Sequence, residues 1–152
     1  MNTTTFARLC FASVLTCSAH AQSTDSFLGT WASADGEGIV RFERCGILKD
    51  GAKTNLCGIV VWDRMAGVPG NLRPLDCNRL VAQFRRFEQD HWTEGVVFDP
   101  RTKKTYRATA RLKNSELHLR AFIGSELFGE TEVLTRVSQV PSTCEGKAPG
   151  DV

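Results

Sequence analysis

Residues 104–123 read KTYRATARLKNSELHLRAFI, and their alternation decides the fold. Apolar and polar side chains alternate on both sides of Asn114-Ser115, a pair suited to a two-residue turn between antiparallel strands. With that turn, Lys113 faces Glu116. Pairing outward sets Leu112 against Leu117, Ala110 against Leu119, Ala108 against Ala121 and Tyr106 against Ile123. All of these pairs fall on one mainly apolar face. Arg111 with His118 and Thr109 with Arg120 take the other. Successive side chains of a strand point to opposite faces, so one register that sorts both strands is what a half-buried hairpin requires.

The same period recurs along the chain. Strands are predicted at Phe27–Ser33, Gly38–Cys45, Leu56–Asp63, Asn78–Phe87, His91–Phe98, Lys104–Leu112, Glu116–Ile123 and Thr131–Val137. No segment of twelve or more residues carries a helical period. Most connections are of hairpin length, so neighbours in sequence pair as antiparallel neighbours in space. The expected fold is all-β: a single antiparallel up-and-down barrel of about eight strands, which leaves no open sheet edge. Two stretches are irregular. Arg64–Asp76 is long and rich in Gly and Pro, and Ser138–Val152 is a Pro/Gly-rich tail.

The chain starts with a secretory pattern. Arg8 forms a small basic region, Leu9–Ala19 an apolar one, and Ala19-His20-Ala21 a small-x-small cleavage site. The expected organisation is a signal peptide at 1–21, a barrel domain at 22–137 and a tail at 138–152. Cleavage after Ala21 leaves 131 of the 152 residues. It removes one basic residue and no acidic one, so the formal net charge of +2 becomes +1. A surface so balanced argues against nucleic acid as a partner. No later stretch approaches the length of a membrane span. Periplasmic or secreted location follows from the signal.

Export fixes the reading of the cysteines. Of six, Cys10 and Cys17 fall in the signal, leaving Cys45, Cys57, Cys77 and Cys144. An even number in an oxidising compartment points to disulfides, with three pairings open. If Cys45 lies opposite Cys57, Glu43 faces Ile59 and Arg41 faces Val61 on the outside, while Phe42 faces Val60 and Val40 faces Trp62 on the inside. That agreement favours Cys45–Cys57 and leaves Cys77–Cys144 by elimination. A metal is not expected, because no C-x2-C spacing or paired histidine ligands occur.

Gly29-Thr30-Trp31 on the first strand and Leu134-Thr135-Arg136 on the last resemble the lipocalin-like pattern. There the indole, here Trp31, closes one barrel end and the guanidinium, here Arg136, lies across its face. Further residues follow in order: Arg44-Cys45-Gly46, Leu56-Cys57-Gly58-Ile59-Val60-Val61-Trp62, Leu72-Arg73-Pro74-Leu75, Trp92, Phe98-Asp99-Pro100, Lys104-Thr105-Tyr106, Leu119-Arg120, Phe122-Ile123-Gly124, Leu127-Phe128-Gly129 and Thr135-Arg136. Together they resemble the domain of unknown function 2147 family of small exported bacterial proteins, over about Leu28 to Arg136. The resemblance implies a lipocalin-like barrel and no particular activity. It also implies a glycine where this chain has Glu94, another where it has Lys103, and an aromatic where it has Leu134.

Candidate sites follow from the barrel. Its interior is expected to be lined by Val40, Phe42, Val60, Trp62, Leu80, Ala82, Phe84, Tyr106, Ala108, Ala110, Leu119 and Ala121. Alanines leave room, and Trp62, Phe84 and Tyr106 offer rings to an apolar ligand. The outward Arg107, Arg111 and Lys113 form a basic strip that an anionic envelope component would fit. His91, Glu94 and Asp99 lie close in sequence, but His91 and Glu94 differ in parity, and Asp99-Pro100 is ordinary turn chemistry. No nucleophile elbow, metalloprotease motif or phosphate loop is present. The sequence therefore points to non-catalytic binding of a small apolar or amphipathic molecule without a cofactor. The alternative is an envelope-associated interaction module using the outer face and the long loop.

Overall fold

The computed structural model describes residues 23–46, 55–65, 77–141 and 144. The expected signal peptide, most of the Arg64–Asp76 loop and most of the tail lie outside the described residues. Nine strands form: β1 (Gly29–Ser33), β2 (Gly38–Cys45), β3 (Asn55–Asp63), β4 (Leu80–Phe84), β5 (Arg86–Glu88), β6 (His91–Asp99), β7 (Lys104–Lys113), β8 (Glu116–Phe122) and β9 (Glu130–Val137). Their order is β4-β3-β2-β1-β9-β8-β7-β6-β5, and β4 also pairs with β6. Strands β4 and β5, separated by Arg85 alone, are two parts of one broken strand on β6. The sheet thus closes as an eight-stranded antiparallel barrel. No α-helix occurs among the described residues.

The β7–β8 hairpin shows how the local chemistry dictates the architecture. Asn114 and Ser115 take φ of 52° and 65°. Two left-handed residues make the turn whose twist matches that of the flanking strands. The pairs run from Lys113–Glu116 through Leu112–Leu117, Ala110–Leu119 and Ala108–Ala121 to Arg107–Phe122, as the turn demands. The expected Tyr106–Ile123 pair does not form. The chain bends at Ile123 and leaves the sheet there.

The β2–β3 register differs from expectation. Cys45 lies opposite Asn55, Glu43 opposite Cys57, Phe42 opposite Gly58 and Val40 opposite Val60. The shift is two residues, so the two faces keep their identity up to Val60, and a bulge at Val61 then sets Trp62 opposite Ile39 instead of the expected Val40. Cys45 and Cys57 are diagonal neighbours, bonded with Cα atoms 5.8 Å apart. Cys77 is bonded to Cys144, Cα–Cα 5.3 Å, tying the segment before β4 to the chain beyond β9. Leu80 was expected inside and faces out, 50% exposed. Val81 is the extra residue of a bulge between Ala82 and Leu80, and it reverses the parity.

One barrel end is closed by packing. A 3-10 turn, Thr24–Phe27, lays Phe27 against Phe87 and Trp92 in edge-to-face contacts, with centroids 5.8 and 6.5 Å apart. Trp31 donates its indole N–H to the Phe27 carbonyl at 3.0 Å. The Arg136 guanidinium stacks 4.1 Å from the centre of the Trp31 ring and donates to the Leu28 and Ser26 carbonyls at 2.7 and 2.6 Å. Phe42, Leu56, Phe84, Leu117 and Leu134 fill the layer above. Phe84 sits on the bare backbone of Gly95, where a Cβ would fall 2.1 Å from its ring.

Candidate functional site

Above that packed layer the barrel opens into a cavity of about 1670 Å³. It faces the end where the β1–β2 turn, the β6–β7 turn and the β8–β9 loop lie. Of the residues expected to line a ligand space, Val40, Phe42, Val60, Trp62, Tyr106 and Leu119 surround it. Phe84 and Ala108 lie below, in the closed core. The space exists because the upper inward positions of neighbouring strands hold small side chains, Ala82 and Ala121 among them. Apolar walls are usual in a small-molecule site, but ten of the lining residues here are charged, four of them basic: Arg64, Arg79, Arg101 and Lys103.

The polar groups gather toward the mouth. Asp35 accepts from the Ser33 hydroxyl at 2.6 Å and the Glu37 amide at 3.0 Å, which hold its carboxyl below the usual range. Burial pushes the Asp99 carboxyl up. Hydrogen bonds from the Arg101 amide, the Thr102 hydroxyl and the Thr102 amide outweigh it, and the net direction is down. Arg101 lies 3.7 Å from Asp99. Glu132 is the opposite case. It lines the cavity, and desolvation by the wall, reinforced by Asp35 and more weakly by Asp99, outweighs the opposing Arg101 and raises its carboxyl. Glu132 is exposed at the mouth, and the wall withholds only part of its hydration.

Glu132 went unnoticed in the sequence although its signal was there. Period two along β9 puts Glu132 on the same side as Leu134, opposite Leu119 of β8. A charged residue at an inward position is the informative observation in such a strand.

His91, Glu94 and Asp99 are not brought together. Asp99 lies at the mouth and His91, beside Asp90 at 3.1 Å, at the other end of β6. Among the described residues no group of three His, Cys, Asp or Glu side chains gathers as a metal site would need. The basic strip on β7 is partly engaged with its own chain. Arg107 lies over the Phe122 ring at 5.2 Å, and Arg111 is 4.0 Å from Glu126. Lys113 stands opposite Glu116.

The family described as "uncharacterized protein conserved in bacteria (DUF2147)" matches residues 29–136. The chain belongs to this family. No curated protein matches it. Among solved structures it is similar to protein HP1028 from the human pathogen Helicobacter pylori, described as belonging to the lipocalin family. The two are 13% identical with a TM-score of 0.54, over 74% of this chain and 83% of that one. The likeness shows a lipocalin-like barrel.

Two features of this DUF2147 member stand out against that barrel. Glu94, in the β6 bulge, and Lys103, in the β6–β7 turn, take φ of 50° and 56°. Both are the positions where the family resemblance implied glycine, and both keep the left-handed backbone that glycine adopts without cost. The mouth of this DUF2147 barrel also carries Ile123, Leu127 and Phe128, which are 78%, 83% and 85% exposed. Among the described residues no helix is long and apolar enough to cross a membrane.

Proposed function

We propose that the protein is an exported, non-catalytic carrier that holds a small apolar or amphipathic molecule in its barrel. The open apolar cavity between Val40, Phe42, Val60, Trp62, Tyr106 and Leu119 carries this reading. Its volume exceeds the roughly 300–1000 Å³ of most small-molecule pockets, which suits an extended or branched apolar body. The two disulfides and the secretory pattern at residues 1–21 support periplasmic or extracellular work, after cleavage behind Ala21.

Native mass spectrometry of the protein purified from its own envelope tests the reading. The expected result is an added mass that denaturation releases. A bare protein mass in every preparation refutes it.

A second reading, an envelope-associated interaction module, draws on the exposed Ile123, Leu127 and Phe128 beside the strip of Arg107, Arg111 and Lys113. Crosslinking in cells separates the two. A specific protein adduct lost on Phe128→Ser and Leu127→Ser favours the module.

A further inference from the structure

The β8–β9 loop presents a bare apolar tip at the cavity mouth, where Ile123, Leu127 and Phe128 are largely exposed. The backbone of this loop is already satisfied by the fold. The Ser125 hydroxyl and carbonyl accept from the Leu127 and Phe128 amides, and the Glu126 carbonyl accepts from the Gly129 amide. Arg120 donates to the Glu126 and Leu127 carbonyls at 2.7 and 3.1 Å, and Arg107 reaches the Gly124 carbonyl at 3.5 Å. Glu126, the one acid between Ile123 and Gly129, turns back to the barrel wall. Its carboxylate accepts from the Thr109 hydroxyl at 2.9 Å and lies 4.0 Å from Arg111. Gly129 seats the loop on β8, since a Cβ there would fall 2.6 Å from the Ala121 carbonyl oxygen. The fold thus holds the tip in place and pairs its polar groups internally, and the side chains left outside gain nothing from water.

We propose that this loop docks the barrel mouth on an anionic lipid surface, with Leu127 and Phe128 among the upper acyl chains and the bases of the adjoining β6–β7 turn at the headgroups. The proposal rests on the carrier reading for its purpose, the exchange of an apolar cargo with a bilayer. Two observations favour lipid over a protein. Ile123 and Phe128 line the cavity although they are largely exposed, so one apolar surface runs from the tip into the barrel. A cargo enters along it without crossing water. Arg101, Lys103 and Lys104 are exposed in the turn beside the tip. Lys104 opens β7, three residues before the Arg107 that touches Gly124. Bare apolar side chains next to long cationic ones are the make-up of an interfacial lipid anchor. The acid of the same turn, Asp99, is engaged by the Arg101 amide and by Thr102. The other carboxylates of the mouth, Asp35, Glu37, Asp63, Glu130 and Glu132, belong to the β1–β2 turn, the end of β3 and β9. The rim is therefore basic on one side of the tip and acidic on the other, and the barrel meets the surface tilted toward the β6–β7 turn.

The test is co-sedimentation of the exported protein, freed of residues 1–21 and with both disulfides intact, with lipid vesicles. One set is phosphatidylethanolamine with phosphatidylglycerol, the other phosphatidylcholine alone. The expected result is binding to the anionic vesicles, weaker binding to the neutral ones, and loss of the difference at high salt. Leu127→Ser with Phe128→Ser weakens binding to both by about tenfold or more, and Lys103→Gln with Lys104→Gln weakens binding to the anionic set alone by about tenfold. Leu80→Ser, at a half-exposed apolar position on the side of the barrel, leaves binding unchanged. No binding to either set, equal binding to both, or binding that survives the Leu127 and Phe128 changes overturns the docking. A protein adduct through residue 128 in cells, without vesicle binding, overturns it in favour of a protein partner. Uptake of the neutral fluorophore N-phenylnaphthylamine, measured without vesicles, reads the carrier function separately. Docking with no uptake counts against the carrier reading alone, and uptake with no docking overturns this proposal alone.

Discussion

Gly95→Ala tests the layer that forms the cavity floor. A Cβ at this position falls 2.1 and 2.4 Å from Cδ1 and Cε1 of Phe84 and 2.7 Å from the Ala108 carbonyl oxygen. Carbon atoms in contact sit about 3.5–4.0 Å apart, so the ring has to retreat by about 1.5 Å. It has nowhere to go. Phe84 is fully buried and lies opposite Leu56 on β3. The Ala108 backbone is equally fixed, because residue 108 is the ladder partner of Gly95.

Overpacking of this kind costs about 1–3 kcal/mol, and the upper end applies where both neighbours are held. Replacing glycine by alanine returns about 0.5–1 kcal/mol through the unfolded chain. The net loss is about 2 kcal/mol, a fall in Tm of roughly 6–10 °C for a domain of this size. Differential scanning calorimetry of the oxidised protein reads it directly. Gly38→Ala is the control, since a Cβ there meets nothing nearer than the Trp62 carbonyl oxygen at 3.7 Å. Phe84→Leu combined with Gly95→Ala should lose less than the sum of the single changes. A Gly95→Ala protein that melts with the wild type refutes the seating of Phe84 on the backbone, and with it the account of the floor.

Three further outcomes follow from the same structure. Lys103→Gly should stabilise by up to about 1 kcal/mol in urea unfolding, because it relieves a left-handed backbone, less the entropy glycine adds to the unfolded chain; a loss of stability counts against the turn geometry. Removing Cys45–Cys57, whose cysteines are 12 residues apart, should cost about 3 kcal/mol, and removing Cys77–Cys144, 67 apart, about 4 kcal/mol in the chain-entropy model. Equal denaturation midpoints for the two double-alanine variants would contradict that order. The Glu132 carboxyl holds its proton to higher pH in the folded chain than in the unfolded one, so its charge penalises folding as pH rises through the carboxylate range. Glu132→Gln should therefore match the wild type in acid and become the more stable protein toward neutral pH. A constant difference at all pH values removes the desolvation argument.

The parts of the fold legible in the sequence are those that short-range chemistry fixes. Asn114-Ser115 leaves only one register for β7 and β8, and period two then assigns their faces. The connection between Cys45 and Cys57 is longer and imposes no register, so the reading there slipped by two residues while parity survived. Leu80 was misplaced because one extra residue, Val81, reverses the faces of β4, and nothing in the local composition marks that bulge. In the site, the apolar wall was readable from alternation. The division between cavity and floor was not, because it depends on the β4–β6 pairing that closes the barrel and lays Phe84 over Gly95 of the adjoining strand. Glu132 was within reach of the same alternation that assigned Leu134.

The seam between the first and last strands governs the order in which the chain becomes a protein. The Arg136 contacts to Leu28 and Ser26 span 108 and 110 residues. β2 with β3, and β7 with β8, are neighbours in sequence and need little chain to pair. β1 keeps an open edge, and the Trp31 ring keeps an open face, until residue 136 arrives. Distant pairings of this kind fold slowly and leave incomplete chains with sticky margins. A chain ending before Arg136 would thus lack the clasp over Trp31. Nearly all of the domain must be made before any of its interior is sealed.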